Sequence, residues 1–412
     1  MSDIGSRSLD THLKKTVDLP LHGGSRLRLS VSQTLFSSHQ VDIGTMHLLK
    51  SLQDTQLDHA AEFLSQGRKF LDLGCGYGPI GLALGRLNEA SIGHLVDRDA
   101  LAVDFAQHNA RLNGITNVEA YGSLGYDNVV ERDFDLIASN IPGKAGEPVI
   151  RALLLDAGGL LSPRGFVAIV AVLPLEAVIY EILATPGVEI LFHQTTSAHA
   201  VFHYRFAANR DAPTPGGFEQ GLYDREDIAF IVDELTLPMV TVRGLAEFDT
   251  LSYESELMIK ALEELTLDHV QRAAVFNPGQ GHIPVLLWRI FSPQVLDLVD
   301  RDLLSLRAAR LNLASNGCSE DAVLLHHQVA LTPAGTAHDL VVGVLREDEG
   351  PQAIESGLAE AAEQMQAGGF MLIAGTSTPV TRVLKSQLLN GVLRTVKRKR
   401  QRGCSTVLFQ RR

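Results

Sequence analysis

The sequence predicts an α/β protein built from two tandem domains, each an open, mostly parallel seven-stranded sheet with helices on both faces. Three observations predict it. Phe70–Leu82 reads as a short apolar strand, a glycine turn and an apolar helix start. From Arg68 onward strand-like and helix-like stretches alternate, the pattern of parallel strands joined by helical crossovers. The chain also repeats itself: Leu95-Val-Asp-Arg-Asp99 recurs as Leu298-Val-Asp-Arg-Asp302, an offset of 203 residues (302 − 99). At the same offset Asn109, Asn113 and Gly114 meet Asn312, Asn316 and Gly317. One register held across a whole helix marks an internal duplication.

Taken in order, residues 1–35 hold a strand over Leu27–Val31 and a turn at Gly23-Gly24. Amphipathic periodicity predicts helices over Met46–Leu52 and Leu57–Leu64. The glycine turn opens a helix to Leu87, and Ser91–Asp97 is a strand that ends in an acid. Ala100–Leu112 is helical and stops at Asn113-Gly114. Strands follow at Asn117–Tyr121 and Phe134–Ser139, then the loop Asn140–Gly146 and a helix over Glu147–Leu161. Phe166–Val172 is a buried strand, Leu175–Ala184 a helix, and Val188–Gln194 with Ala200–Phe206 a closing strand pair. The stretch Ala207–Gly217, with two prolines and few apolar groups, reads as a linker. The expected division is therefore 1–207 for the first domain, 208–220 for the linker and 221–412 for the second.

At 412 residues and 45% hydrophobic composition the chain can fill two cores. No apolar run reaches the roughly 18 residues of a membrane span, and Met1–Arg7 lacks the layout of a signal peptide. Three scattered cysteines fit a reducing compartment without a disulfide framework, so a cytoplasmic location is expected. His193, His199 and His203 fall around the closing strand pair as satisfied or exposed side chains, with no metal expected. Net charge is −12 but uneven. After Glu363 there are ten basic residues and no acid, so the remainder carries −22 (26 basic minus 48 acidic). That basic tail is either an edge strand protected by charge or a surface for phosphate groups.

The candidate chemistry lies in the first domain. Gly74, Gly76 and Gly78 let the backbone turn tightly and approach a ligand. Asp72 stands just before the turn, where a carboxylate can take a cationic amino group. Asp97, 21 residues after Gly76, ends the next strand, where an acid can accept two ribose hydroxyls. Ser123 follows the third strand and is placed toward an adenine edge; Asp99 reads as a helix N-cap. Asn140-Ile-Pro142 ends the fourth strand. There the Asn140 side-chain oxygen and the Ile141 carbonyl could hold the hydrogens of an amine, with Pro142 stiffening the turn. The bland alternatives are a glycine turn without a ligand and an ordinary Asn-Pro-type turn. In the second copy Asp72 falls on Val275 and Gly74 on Asn277. One residue further in offset, Asn140 falls on Val344 and Pro142 on Arg346. The duplication therefore predicts one working copy and one degenerate partner.

The stretch Leu71-Asp-Leu-Gly-Cys-Gly-Tyr-Gly-Pro-Ile-Gly81 resembles motif I of S-adenosylmethionine (SAM) methyltransferases. Together with Leu35-Phe-Ser37, Val41-Asp-Ile-Gly-Thr45, Ala110-Arg-Leu-Asn-Gly114 and Phe134–Asn140, it resembles the tandem-domain ribosomal RNA guanine-N2 methyltransferases of the "methyltransferase small" group. The resemblance implies Rossmann-like class I domains, SAM as cofactor, ribosomal RNA or a ribosomal subunit as partner, and a monomer holding an intramolecular pair of domains. It implies cofactor contacts from Phe36, Asp42, Gly44 and Thr45, with Cys75 and Arg98 beside the turn and Asp97. Two departures stand out. In the best-known members the first domain is the degenerate one. The family loop is Asn-Pro-Pro-aromatic, whereas Gly143 here offers no ring to stack on a base. A small-molecule or protein methyltransferase, and a non-catalytic SAM- or RNA-binding protein, stand as alternatives.

Overall fold

Alternation of strands rich in Val, Ile, Leu and Ala with amphipathic helices builds a doubly wound sheet in each half of the chain. The computed structural model describes residues 9–207, 216–232 and 235–412. Leu13–Tyr223 forms one unit; Asp224–Arg412, with residues 9–12, forms the other.

The first unit opens with an antiparallel hairpin, β1 (Leu13–Pro20) and β2 (Arg26–Ser32). Its main sheet contains β3 (Lys69–Leu73), β4 (Ile92–Asp97), β5 (Val118–Gly122), β6 (Phe134–Asn140), β7 (Leu161–Val172), β8 (Val188–Thr195) and β9 (His199–Phe206). The order is β5-β4-β3-β6-β7-β9-β8; β9 pairs antiparallel with both β7 and β8 and so runs against the other strands. Helices pack on both faces of the central strands, so Leu71, Ile137, Ala138 and Ile169 are essentially inaccessible. Strand order reverses beside β3, so the ends of β3, β4 and β6 face one crevice, the usual ligand position in such sheets.

The second unit repeats this plan. A hairpin of β10 (Asp224–Val232) and β11 (Leu235–Val242) precedes β12 (Arg272–Phe276), β13 (Val295–Asp300), β14 (Val323–His327), β15 (His338–Val344), β16 (Met365–Thr376), β17 (Leu393–Gln401) and β18 (Cys404–Arg411). The order β14-β13-β12-β15-β16-β18-β17 is that of the first sheet, strand for strand. The repeated asparagines do the same work twice. Asn109 bonds both backbone groups of Ser30 and the carbonyl of Tyr77. Asn312 bonds both backbone groups of Val240 and the carbonyl of Gln280. Each braces its N-terminal hairpin against the glycine turn.

Some limits differ from those expected. Helix Ile43–Leu52 starts three residues before Met46 because Asp42 caps it, accepting from the Thr45 amide. The helix expected to reach Leu161 ends at Leu155, passes through a 3-10 turn over Asp156–Gly159, and β7 begins at Leu161. Gly158-Gly159 disfavours a longer helix. Residues 208–215 of the expected linker lie outside the described residues. Beyond them the first unit continues to Tyr223: Phe218 and Tyr223 are buried, and the amides of Gly216 and Gly217 bond to Asp127. Thr11 and His12 line a cavity with Asn277 and Arg346, which places these residues with the second unit rather than the first.

Candidate active site

The glycine turn after β3 is built on left-handed backbone. Gly74, Gly76 and Gly78 have φ of 73°, 55° and 93°, a region that costs residues with a Cβ. A Cβ added at Gly74 or Gly76 would meet nothing within 4 Å, so the turn borders open space. Gly78 starts helix Pro79–Leu87. Cys75 is buried, its amide bonded to the Val96 carbonyl, and burial pushes its thiol well above the ordinary range.

Asp72 is completely buried and accepts from the Gly81 amide at 2.7 Å, holding the first turn of that helix. Its other oxygen, Oδ1, has no partner among the described residues. Burial raises its pKa to about 7, against the Gly81 hydrogen bond. Asp97 is half-buried; Oδ2 accepts from the Gly76 amide and Oδ1 from the Asp99 amide, each at 2.9 Å. Arg98 is half-buried beside it. Asp99 caps the next helix through the Leu101 amide. Ser123 is turned inward: its hydroxyl donates to the Gly125 carbonyl and accepts from the Asn128 amide, shaping its own loop. Its hydroxyl proton is therefore committed within the loop and not directed to an adenine edge.

Asn140 ends β6 at the crevice. Its Nδ2 donates to Asp42 Oδ2 at 3.0 Å and to Thr45 Oγ1 at 3.1 Å. A carboxylate can only accept here, so the amide nitrogen must face it and Oδ1 is the end left to accept. Ile141 is buried, its amide bonded to the Val170 carbonyl; Pro142 is exposed and its carbonyl accepts from Ala145. Gly44 sits between Asp42 and His199: a Cβ there would stand 2.7 Å from His199 Cδ2 and 2.9 Å from Asp42 Oδ2. Phe36 is 71% exposed, projecting from the loop that leads to Asp42.

Two residues of this neighbourhood escape sequence reasoning. The Tyr77 hydroxyl and His199 Nδ1 are buried without a partner among the described residues. Burial, with the nearby Asp42 charge, pushes the Tyr77 hydroxyl upward. Tyr77 carries a signal only in lying between two turn glycines; His199 carries none. The other histidines of the closing strand pair are structural or exposed. His203 is fully buried between Ser51 and His59, which lowers its pKa to about 3, and His193 pairs with Glu176.

In the equivalent crevice of the second unit the acid is already paired from within the unit. Arg346, from the loop after β15, donates to Asp300 at 2.5 Å, and Ser305 donates to the other oxygen at 2.7 Å. Asp300 is the counterpart of Asp97. Arg301 lies 3.8 Å from Glu349. Val275 replaces Asp72 and is inaccessible. Asn277 keeps the left-handed backbone of Gly74, with φ 51°, and its side chain bonds the Val344 carbonyl.

Sheet order, the turn after the first parallel strand and the acid ending the second are those of the class I methyltransferase fold. The family model of the methyltransferase small domain matches residues 26–188, within the first unit. The chain is 34% identical over 132 residues to an uncharacterised protein, YbxB, of Bacillus subtilis, covering 32% of this chain and 61% of that one. It is 34% identical over 144 residues to ribosomal RNA large subunit methyltransferase G of Alcanivorax borkumensis, 34% of each chain. It is 32% identical over 149 residues to ribosomal RNA small subunit methyltransferase C of Hahella chejuensis, 35% of this chain and 40% of that one. The chain thus spans less than two thirds of the length of these relatives. Among solved structures, the T. thermophilus 16S rRNA N2 G1207 methyltransferase, in complex with AdoMet and guanosine, superposes over 97% of this chain and 98% of that one. Its TM-score is 0.65 at 16% identity, a likeness of fold across both units.

Proposed function

We propose that this chain is a SAM-dependent methyltransferase that modifies an exocyclic amine of a guanine in ribosomal RNA, with the first unit catalytic and the second not. The observation that carries it is the clamp on Asn140. With both amide hydrogens taken by Asp42 and Thr45, Oδ1 is held as an acceptor at the end of β6. A guanine amine presents two hydrogens and needs its lone pair free. Asn140 Oδ1 takes one hydrogen and the Ile141 carbonyl takes the other, which orients the lone pair along the transfer line.

The residues of the turn fit the cofactor. Asp72 Oδ1 is a buried, orphaned oxygen that an ammonium would satisfy. Open space beside Gly74 and Gly76 admits a ligand against the backbone. Asp97 ends β4 beside the turn, the position from which a carboxylate accepts ribose hydroxyls in such sheets. Bound SAM supplies an activated methyl group, so the chain's own task is to position the amine and exclude water. Ribosomal RNA as acceptor is supported by the relatives named as ribosomal RNA methyltransferases.

The test is tritium transfer from labelled SAM to ribosomal RNA, to assembled subunits and to total metabolites. Asn140→Ala should lower transfer at least 100-fold, the order of one missing transition-state acceptor, and leave SAM affinity within about threefold. Transfer unaffected by that change would sink the role of Asn140. Gly143 in place of an aromatic favours a second reading, a small-molecule or protein acceptor. Label appearing only outside RNA would establish it.

A further inference from the structure

We propose that the β17–β18 hairpin of the second unit is an RNA-binding surface that grips phosphates, an inference that rests on the RNA reading above. β17 is the edge strand of its sheet. Arg394, Lys397, Arg398, Lys399, Arg400 and Arg402 follow one another along it and its turn, and the hairpin has no acidic residue. Paired register puts Arg394, Lys397 and Lys399 on one face, with Gln410, Leu408 and Thr406. Arg398 and Arg400 lie on the other, with Val407 and Ser405.

Edge protection does not require this. The duplicated domain supplies the control: β8 and β9 occupy the same two places in the first sheet and carry one arginine and one glutamate, Arg205 and Glu189, which pair with each other. That edge is stable without a surplus of charge. The second edge has acquired a run of cations that only partly finds acids: Lys397 and Lys399 meet Glu264. Arg394, Arg400 and Arg402 stay exposed. Arg398 is pressed on by burial and by Arg400, which lowers its pKa below the usual arginine range. Like charges held together on a rigid strand, in a chain of net charge −12, call for anions from outside. A polyphosphate backbone matches a line of guanidinium and ammonium groups, and the outward backbone amides of an edge strand add donors.

The test uses the full chain and the variant Arg394→Gln, Lys397→Gln, Arg400→Gln, Arg402→Gln, all exposed positions. Binding to ribosomal RNA is measured between roughly 50 and 300 mM salt, with KM for RNA and calorimetric SAM affinity alongside. The variant should bind RNA roughly tenfold more weakly, and its slope of log K against log salt should shrink by about 0.7 for each phosphate it ceases to neutralise. KM for RNA should rise while SAM affinity stays unchanged. If the wild type methylates RNA and the variant keeps its KM and salt slope, the surface is refuted and the enzyme reading stands. If the wild type neither binds nor methylates RNA, both fall together. Loss of binding to phosphatidylglycerol vesicles with RNA binding intact would overturn the proposal in favour of a membrane surface.

Discussion

Asn140 takes its orientation from a residue 98 positions upstream, and that dependence can be measured. Asp42→Asn keeps shape but offers both a donor and an acceptor, so the Asn140 amide loses its forced direction. The expected result is a kcat at least tenfold lower, a loss of the order of one hydrogen bond to a charged group, with KM for SAM nearly unchanged. Thr45→Ser should retain activity and Thr45→Val should not, a distinction that a purely steric role for Thr45 would reverse. Asp72 makes a second prediction. Its folded pKa, about 7, stands above its ordinary value of 3.8, so its proton favours the fold at low pH. That contribution is complete below about pH 4 and is lost as pH rises through 7. An ammonium beside Oδ1 reverses the preference. SAM binding should therefore release about one proton at pH 6 and almost none at pH 8, read by calorimetry in buffers of different ionisation enthalpy. Proton release equal at both pH values would remove Asp72 from the ammonium site. At this scale the spacing of Asp72, the three glycines and Asn140 was readable because each is fixed to a strand end. Tyr77 and His199 were not, because orphaned atoms exist only once distant segments bury them. Ser123 departs from its expected role for a related reason: a loop hydroxyl satisfies itself locally before it reaches outward.

The helix that follows β4 and its twin that follows β13 show how an element can be kept for bracing rather than chemistry. Asn109 is inaccessible and makes three hydrogen bonds that tie β2 and the glycine turn to one helix face. Asn109→Ala leaves buried backbone groups of Ser30 and Tyr77 unpaired. A loss of about 3 kcal/mol is expected for the first unit, measured by denaturant unfolding. The repeated Asn and Asp residues were visible in the sequence as a duplication, and the capping by Asp99 was readable there and is repeated by Asp302; that Asn109 and Asn312 hold hairpins was not. Element order was legible throughout because period and turn chemistry agreed. Element ends were less so, since a cap such as Asp42 or a glycine pair such as Gly158-Gly159 moves an end by several residues without altering periodicity.

For the molecule as a whole, duplication was the signal that divided 412 residues into two sheets of one order. It could not show that residues 9–12 cluster with the far half of the chain, because packing between segments so far apart leaves no local pattern. Nor could it show that the acid of the second crevice is paired from within. Replacement of an acid by Val275 was readable; the pairing of Arg346 with Asp300 needed the fold to bring two loop ends together. One cofactor per chain is expected by calorimetry, and restoring the acid with Val275→Asp should not create a second site while Arg346 holds Asp300. The same pairing bears on heating. A crevice that already carries its own counter-ion gains nothing from added cofactor, whereas the first unit gains roughly 3 kcal/mol at a hundred times the dissociation constant. On a calorimetric scan the two halves should then part company: saturating SAM moves the melting of one half upward and leaves the other where it was.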